Sequence, residues 1–247
     1  MQVIFNADDF GLTHGVNQGI KDAHLNGVVN STTLMVGMSA DKEAVEMAKA
    51  LPNLKVGIHL RFTAGKPLTN SPNLQGVDEY FPIQPDFWQR RDFCADAVES
   101  EVRAQLRYFD ELGLTLSHID SHHHAHRHPQ ILPIVERIAA ERGVPLREQS
   151  IKGRRYQFTD KFFDDTVSID ALLSLISTYK DRCDVLEVMC HPARIDEHLE
   201  QISSYVIPRE KERAVLTDPQ LTNSLKDMGV TISDYSAVTL SVEALTQ

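Results

Sequence analysis

Thiols are scarce in this 247-residue chain: Cys94, Cys183 and Cys190 are its only cysteines, an odd number without CxxC spacing. That pattern argues against a disulfide framework and a thiolate zinc site, and suits buried, apolar-like thiols in a reducing compartment. No apolar run approaches the ~18 residues that a membrane span needs. The first residues, Met1 to Asp9, lack a basic leader and enter a strand pattern directly, so no signal peptide is expected and a cytoplasmic location follows. Basic charge is short as well, with 25 Lys and Arg against 35 Asp and Glu and a formal charge of −10. This balance disfavours nucleic acid or an anionic membrane as partner, and the one basic knot, Lys152-Gly153-Arg154-Arg155, is a short loop. A neutral or cationic small substrate fits better. Also missing are a P-loop, a dinucleotide fingerprint and a GxSxG elbow, which favours hydrolysis over phosphoryl or hydride transfer.

What the chain does have is histidine. Ser117 to Pro129 places six histidines and one carboxylate within thirteen residues. Leu114 to Ile119 reads as a short buried strand, and Pro129 to Arg142 as a helix with Ile131, Ile134, Val135 and Ile138 at helical spacing, ending at Gly143. In extended backbone His122, His124 and His126 would share one face and His123 the other. Imidazole is the commonest protein metal ligand, and Asp120 is placed to fix a ligating ring from behind. The competing reading is a solvated His-rich loop that takes up metal incidentally.

The rest of the chain alternates strands and helices. Expected strands are Gln2 to Asn6, Val28 to Val36, Leu54 to Leu60, Leu114 to Ile119, Val144 to Leu146, Asp184 to Cys190 and Val230 to Ser233, seven in all. Helices are expected around Val16, Ile20 and Ala23, over Ala40 to Leu51, Phe93 to Leu112, Pro129 to Arg142 and Ile169 to Tyr179, with one or two more between Tyr205 and Asp227. Residues 61–92 form a long Pro-rich, aromatic insertion, read either as a sugar-stacking loop or as a small satellite core, and its exposed aromatics make a homodimer plausible. Glu148 to Ser168 reads as irregular.

Such alternation implies right-handed crossovers and a parallel sheet, most simply a single α/β domain over 1–247 built as a seven-stranded or incomplete (β/α) barrel. Active sites of barrels lie at the C-terminal ends of the strands. Asp8 and Asp9 follow the first strand, His59 ends the third, His122 follows the fourth and His191 the sixth. Each has a plain structural reading alone: a helix cap for one Asp, a satisfied core position for each His. Together they form one candidate site, in which a carboxylate and two imidazoles suit a divalent Lewis acid. Cys190 beside His191 is a poor thiol nucleophile, because strand neighbours point to opposite faces.

At these residues the sequence resembles the YdjC-like carbohydrate deacetylases, particularly their bacterial chitooligosaccharide deacetylase branch. The matching pieces are Asn6-Ala-Asp-Asp-Phe-Gly11, Asn30-Ser-Thr-Thr33, Gly57-Ile-His-Leu60 with Gly65-Lys-Pro-Leu68, His118-Ile-Asp-Ser-His122 with His124 and His126, Leu186 to Ala193, and Pro208-Arg-Glu210. Leu74 to Asp92 and Gln149 to Val167 carry no matching motif. The resemblance implies a barrel related to polysaccharide deacetylases, magnesium as the cofactor with zinc as the alternative, and removal of acetyl from an N-acetylglucosamine unit of chitobiose or a short chitooligosaccharide. It implies Asp9, His59 and His122 as metal ligands, Asp8 as base and His191 as acid, the last charged by nearby carboxylates. His124 and His126 are read as substrate contacts or structural groups. Arg147 is read as a sugar contact or as a partner of Glu148, and Arg209 as supporting the fold through Glu210 or Glu212. A different metal hydrolase, or a silent sugar-binding protein, are the other classes considered.

Overall fold

The computed structural model describes residues 1–238. Seven strands form one parallel sheet: β1 (Gln2–Phe10), β2 (Ser31–Leu34), β3 (Lys55–Leu60), β4 (Ile119–Ser121), β5 (Tyr156–Thr159), β6 (Val185–Cys190) and β7 (Thr231–Ser233). Their order is β4-β3-β2-β1-β6-β5. One edge of β1 is lined by β6; the other is shared by β7 beside Gln2 to Ile4 and β2 beside Asn6 to Phe10. The sheet curls through about 245° without closing and carries helices on both faces, the incomplete (β/α) barrel that the alternation implied. Central strands read as nearly continuous apolar runs because both faces are covered: all of β1 from Val3 to Phe10 and all of β6 are buried.

The helices are α1 (His14–Leu25), α2 (Asp41–Ala50), α3 (Gln84–Gln89), α4 (Ala95–Glu111), α5 (Leu132–Arg142), α6 (Ile169–Tyr179), α7 (Glu197–Ile202), α8 (Ile207–Leu216) and α9 (Pro219–Asp227). Capping explains their limits. Thr13 and Ser168 accept from backbone N–H groups in the first turns of α1 and α6, and Gly143, at φ 65°, ends α5 as expected. Only α3 and α7, each six residues long, have no counterpart in the sequence reading. Helices that short show too little periodicity to be read.

Two strands are misplaced by the sequence reading: the fourth, expected over Leu114 to Ile119, is Ile119–Ser121 and shares one residue with that stretch, and the fifth lies further along the chain. Val144 to Leu146 forms a single bridge, Leu146 to Ile119, and the fifth strand is Tyr156–Thr159, inside the stretch expected to be irregular. The segment does run beside β4, with Ile119 N–H donating to Pro145 and Arg147 N–H donating to Ile119. It leaves the sheet at once through Glu148, whose φ is 68°.

Residues 61–92 are not a separate satellite core: their buried rings pack into the main core. Leu74, Phe81 and Phe87 are buried, and Phe87 packs against Phe62, Trp88, Phe93 and His128. Burying such a ring stabilises by roughly 1.5–3 kcal/mol, which orders a loop that would otherwise be free. Tyr80 and Lys66 are left at its rim, facing the main cavity.

Candidate active site

A bulge in β1 builds the first part of the site. Between Ala7 and Phe10 the strand advances three residues while β2 advances two, from Thr32 to Leu34. Asp9 sits in this extra step with φ 71°, a backbone region that a non-glycine residue adopts only when its surroundings hold it there. In a regular strand Asp8 and Asp9 would face opposite sides. The bulge re-aims them, and both come within reach of His59.

Asp9, His59 and His122 form a cluster whose ligand atoms all lie within 4.8 Å of one another. Asp9 Oδ1 is 3.3 Å from His59 Nε2 and 2.8 Å from His122 Nδ1. The other nitrogen of His59, Nδ1, lies 2.6 Å from Asp120 Oδ1 on the neighbouring strand, so Asp120 does hold a ring from behind as its position suggested. Burial works against charge on His59, but the carboxylates of Asp120 and Asp8 outweigh it and push this histidine up to about 10. The donor set fits a divalent cation: one carboxylate and two imidazoles, one of them oriented by a carboxylate, at the floor of an open cavity. A second cluster, Asp8, His59 and Asp120, satisfies the same distance test, but its carboxylates are already taken by Arg147.

Arg147 corrects an expectation. It is 1% exposed, so it is closed off from a sugar, and Glu148 pairs with Arg127 instead. Its Nη1 and Nη2 each donate to an oxygen of Asp8 at 2.7 Å, Nη2 lies 2.9 Å from Asp120, and Nε donates to Glu187 at 2.8 Å. Glu187 also accepts from the hydroxyls of Tyr156 and Tyr235. One guanidinium thus ties β1, β4 and β6 together beneath the cavity. Burial alone would raise Asp8, yet the charge and hydrogen bonds of Arg147 hold it well below the usual carboxylate range.

The histidine tract does not alternate along an extended strand. It is a 3₁₀ turn, His122–Arg127, with His123 and His124 both in the left-handed region at φ 53° and 54°. His122, His123 and His124 therefore all line the cavity. His123 packs on His122 with ring centres 3.9 Å apart and meets the Thr63 hydroxyl at 3.0 Å. His126, read as a substrate contact or a structural group, is 1% exposed and bonded through Nδ1 to the Ser121 hydroxyl, the structural alternative. His118 stacks on Tyr235 at 3.5 Å, and His128 packs among Phe87, Trp88 and Phe93.

The cavity has a volume of about 1240 Å³. Its lining includes Asp8, Asp9, His59, His122 and His191, so the expected metal and proton-transfer residues converge there. His191 is held to about 4 by burial, with the charge of Arg209 adding, which replaces the expectation of a charged ring. Its backbone N–H donates to buried Glu212, which burial raises to about 8. Arg209 is a further correction. Rather than pairing with Glu210 or Glu212, its Nη2 donates to Asp9 Oδ2 at 2.6 Å, so it reaches the candidate ligand from α8.

Comparison with known sequences matches residues 2–227 to the family described as YdjC-like protein. The chain belongs to this YdjC-like family. A carbohydrate deacetylase of Vibrio cholerae serotype O1 is 54% identical over 243 residues, 96% of each chain. The crystal structure of a protein from Enterococcus faecalis V583, described provisionally as a cellobiose-phosphate cleavage protein, superposes on this YdjC-like chain with a TM-score of 0.90 at 31% identity, covering 97% and 99% of the two chains. A family 4 carbohydrate esterase from Streptomyces lividans, solved with acetate, shares the fold at a TM-score of 0.55 and 13% identity over 97% of each chain.

Proposed function

We infer that this protein is a metal-dependent carbohydrate deacetylase that hydrolyses the C–N bond of an acetamido sugar. The observation that carries the reading is the Asp9, His59 and His122 cluster at the floor of a sugar-sized cavity, with Asp8 and His191 on the same wall. The 54% identity to a carbohydrate deacetylase supports it. Within that class we propose the N-acetylglucosamine unit of chitobiose or a short chitooligosaccharide as substrate, with acetate as product in chitin catabolism.

A divalent ion held by Asp9, His59 and His122 would supply Lewis-acid polarisation of the amide carbonyl and of the attacking water. Magnesium is the ion the resemblance brings in, but it prefers oxygen donors; two imidazoles suit a zinc-class ion better, which moves the zinc alternative forward. Asp8, ionised and oriented by Arg147, accepts the proton of the attacking water. His191 delivers a proton to the departing nitrogen, since an amide anion is too poor a leaving group to go alone. Burial holds His191 to about 4, so the proton it delivers is the one that Asp8 takes from the attacking water, passed to the ring before the C–N bond breaks. Arg209 fixes Asp9 through its remaining oxygen. His124, on the cavity wall, is the proposed sugar contact among the later histidines.

We propose a cytoplasmic location, consistent with three free cysteines, and a single barrel domain over the described residues 1–238. Exposed Val77 and Ile83 on the 61–92 insertion are the proposed homodimer contacts. The functional reading is tested by acetate release from diacetylchitobiose and from a panel of other acetamido sugars and simple amides, before and after chelation. Metal-restored release from diacetylchitobiose supports it in full. Release from another acetamido sugar alone keeps the reaction and changes the substrate, and sugar binding without any release would overturn the enzyme reading.

A further inference from the structure

Part of the cavity lining is a layered stack whose two rings, Phe163 and Tyr205, have no part in the catalytic chemistry. Arg209 lies over the Tyr205 ring at 5.5 Å, and Tyr205 lies against Phe163 with ring centres 4.1 Å apart and planes 6° from parallel. His191 meets both rings edge-on, at 5.7 and 5.9 Å. The stack therefore begins at the guanidinium that holds Asp9 and ends at Phe163, which is 40% exposed.

The stack is fixed in place. The Tyr205 hydroxyl donates to buried Glu212 at 2.6 Å and accepts the backbone N–H of Asp164 at 2.9 Å. The Phe163 N–H donates to the Thr166 hydroxyl, which closes the turn that carries the ring. Glu212 also accepts the His191 N–H, so a single buried carboxylate sets the aromatic wall and His191 in one register. An exposed phenylalanine is normally free to rotate and adds little; here the ordering cost is met within the fold.

Resting on the deacetylase reading, we propose that the Phe163–Tyr205 stack is the subsite for the second sugar ring of a disaccharide, with the apolar face of a pyranose lying on Phe163. The occupant follows from continuity and size. Both rings line the same cavity as Asp9 and His191, and about 1240 Å³ exceeds the ~300–1,000 Å³ usual for one small ligand, which leaves room for a ring beyond the one being deacetylated. A neutral pyranose offers C–H groups to an aromatic face and keeps its hydroxyls in water, which suits an outer, half-exposed platform.

The test pairs kinetics with binding. In Phe163→Ala, the preference for diacetylchitobiose over N-acetylglucosamine, as the ratio of kcat/KM values, should fall about three- to tenfold. Phe163→Trp should restore it, and metal content should match wild type in both. Calorimetric affinity for fully deacetylated chitobiose, the glucosamine disaccharide with no acetyl group to lose, should fall by the same factor in Phe163→Ala. An unchanged preference together with unchanged chitobiose affinity would overturn the subsite. If wild type releases acetate from no acetamido sugar, the deacetylase reading fails separately, and the chitobiose affinities still decide whether Phe163 is a sugar platform.

Discussion

His59 Nδ1 and Asp120 Oδ1 face each other across neighbouring strands β3 and β4, 2.6 Å apart and fully buried. The contact leaves Nε2 as the only free nitrogen of that ring and aims it at Asp9. Carboxylates in this position fix the ring and raise its basicity. Asp120→Asn should therefore weaken metal binding by about 10–100-fold without abolishing it. Competition against a chromophoric chelator measures this, and wild-type affinity in the variant would remove Asp120 from the design of the site.

The same histidine makes metal uptake pH-dependent. A ring pushed up to about 10 is protonated throughout neutral pH in the ion-free protein, and a ligating ring must give that proton up. Affinity should rise about tenfold per pH unit from about pH 7 to 9, with roughly one proton released per ion. Titration calorimetry in buffers of different ionisation heat counts the proton. Uptake with no proton release would contradict the charge state of His59.

Arg147 is surrounded by Asp8, Asp120 and Glu187, all buried. Removing it strands three carboxylates, so Arg147→Met should cost ~3–5 kcal/mol in urea unfolding. Arg155→Ala, which breaks an exposed pair with Asp184, should leave the midpoint nearly unmoved. Equal effects of the two substitutions would show that the buried cluster is no keystone.

His191 touches none of the Asp9, His59 and His122 donor atoms within hydrogen-bond reach. His191→Ala should keep its metal and lose about 10²–10⁴-fold in rate. Acetate release and metal analysis on the same preparation check this; wild-type turnover would remove His191 from proton transfer.

Much of the fold and the site's outline is legible in the sequence, because both follow from periodicity. Polar residues ending apolar strands point to the barrel mouth, and Asp9, His59, His122 and His191 do meet there. Contacts made by long side chains across the sheet are not legible. Nothing near Arg147 or Arg209 in sequence shows that one guanidinium will reach Asp8 from beside β4 and the other Asp9 from α8. Left-handed backbone is equally silent when no glycine marks it: His123 and His124 turn the tract away from an extended strand and send His126 into the interior. Tyr156–Thr159 is a four-residue strand whose outward Gln157 breaks the apolar signal, so the unbroken apolar run Val144 to Leu146 carries the stronger strand signal.

The most direct measurement takes metal content and acetate release from diacetylchitobiose on the same samples of wild type and a His59→Ala/His122→Ala double variant. The expected result is about one divalent ion per chain and chelator-sensitive release in wild type, with both lost in the variant. Wild-type metal content and turnover in the double variant would contradict the site as drawn here.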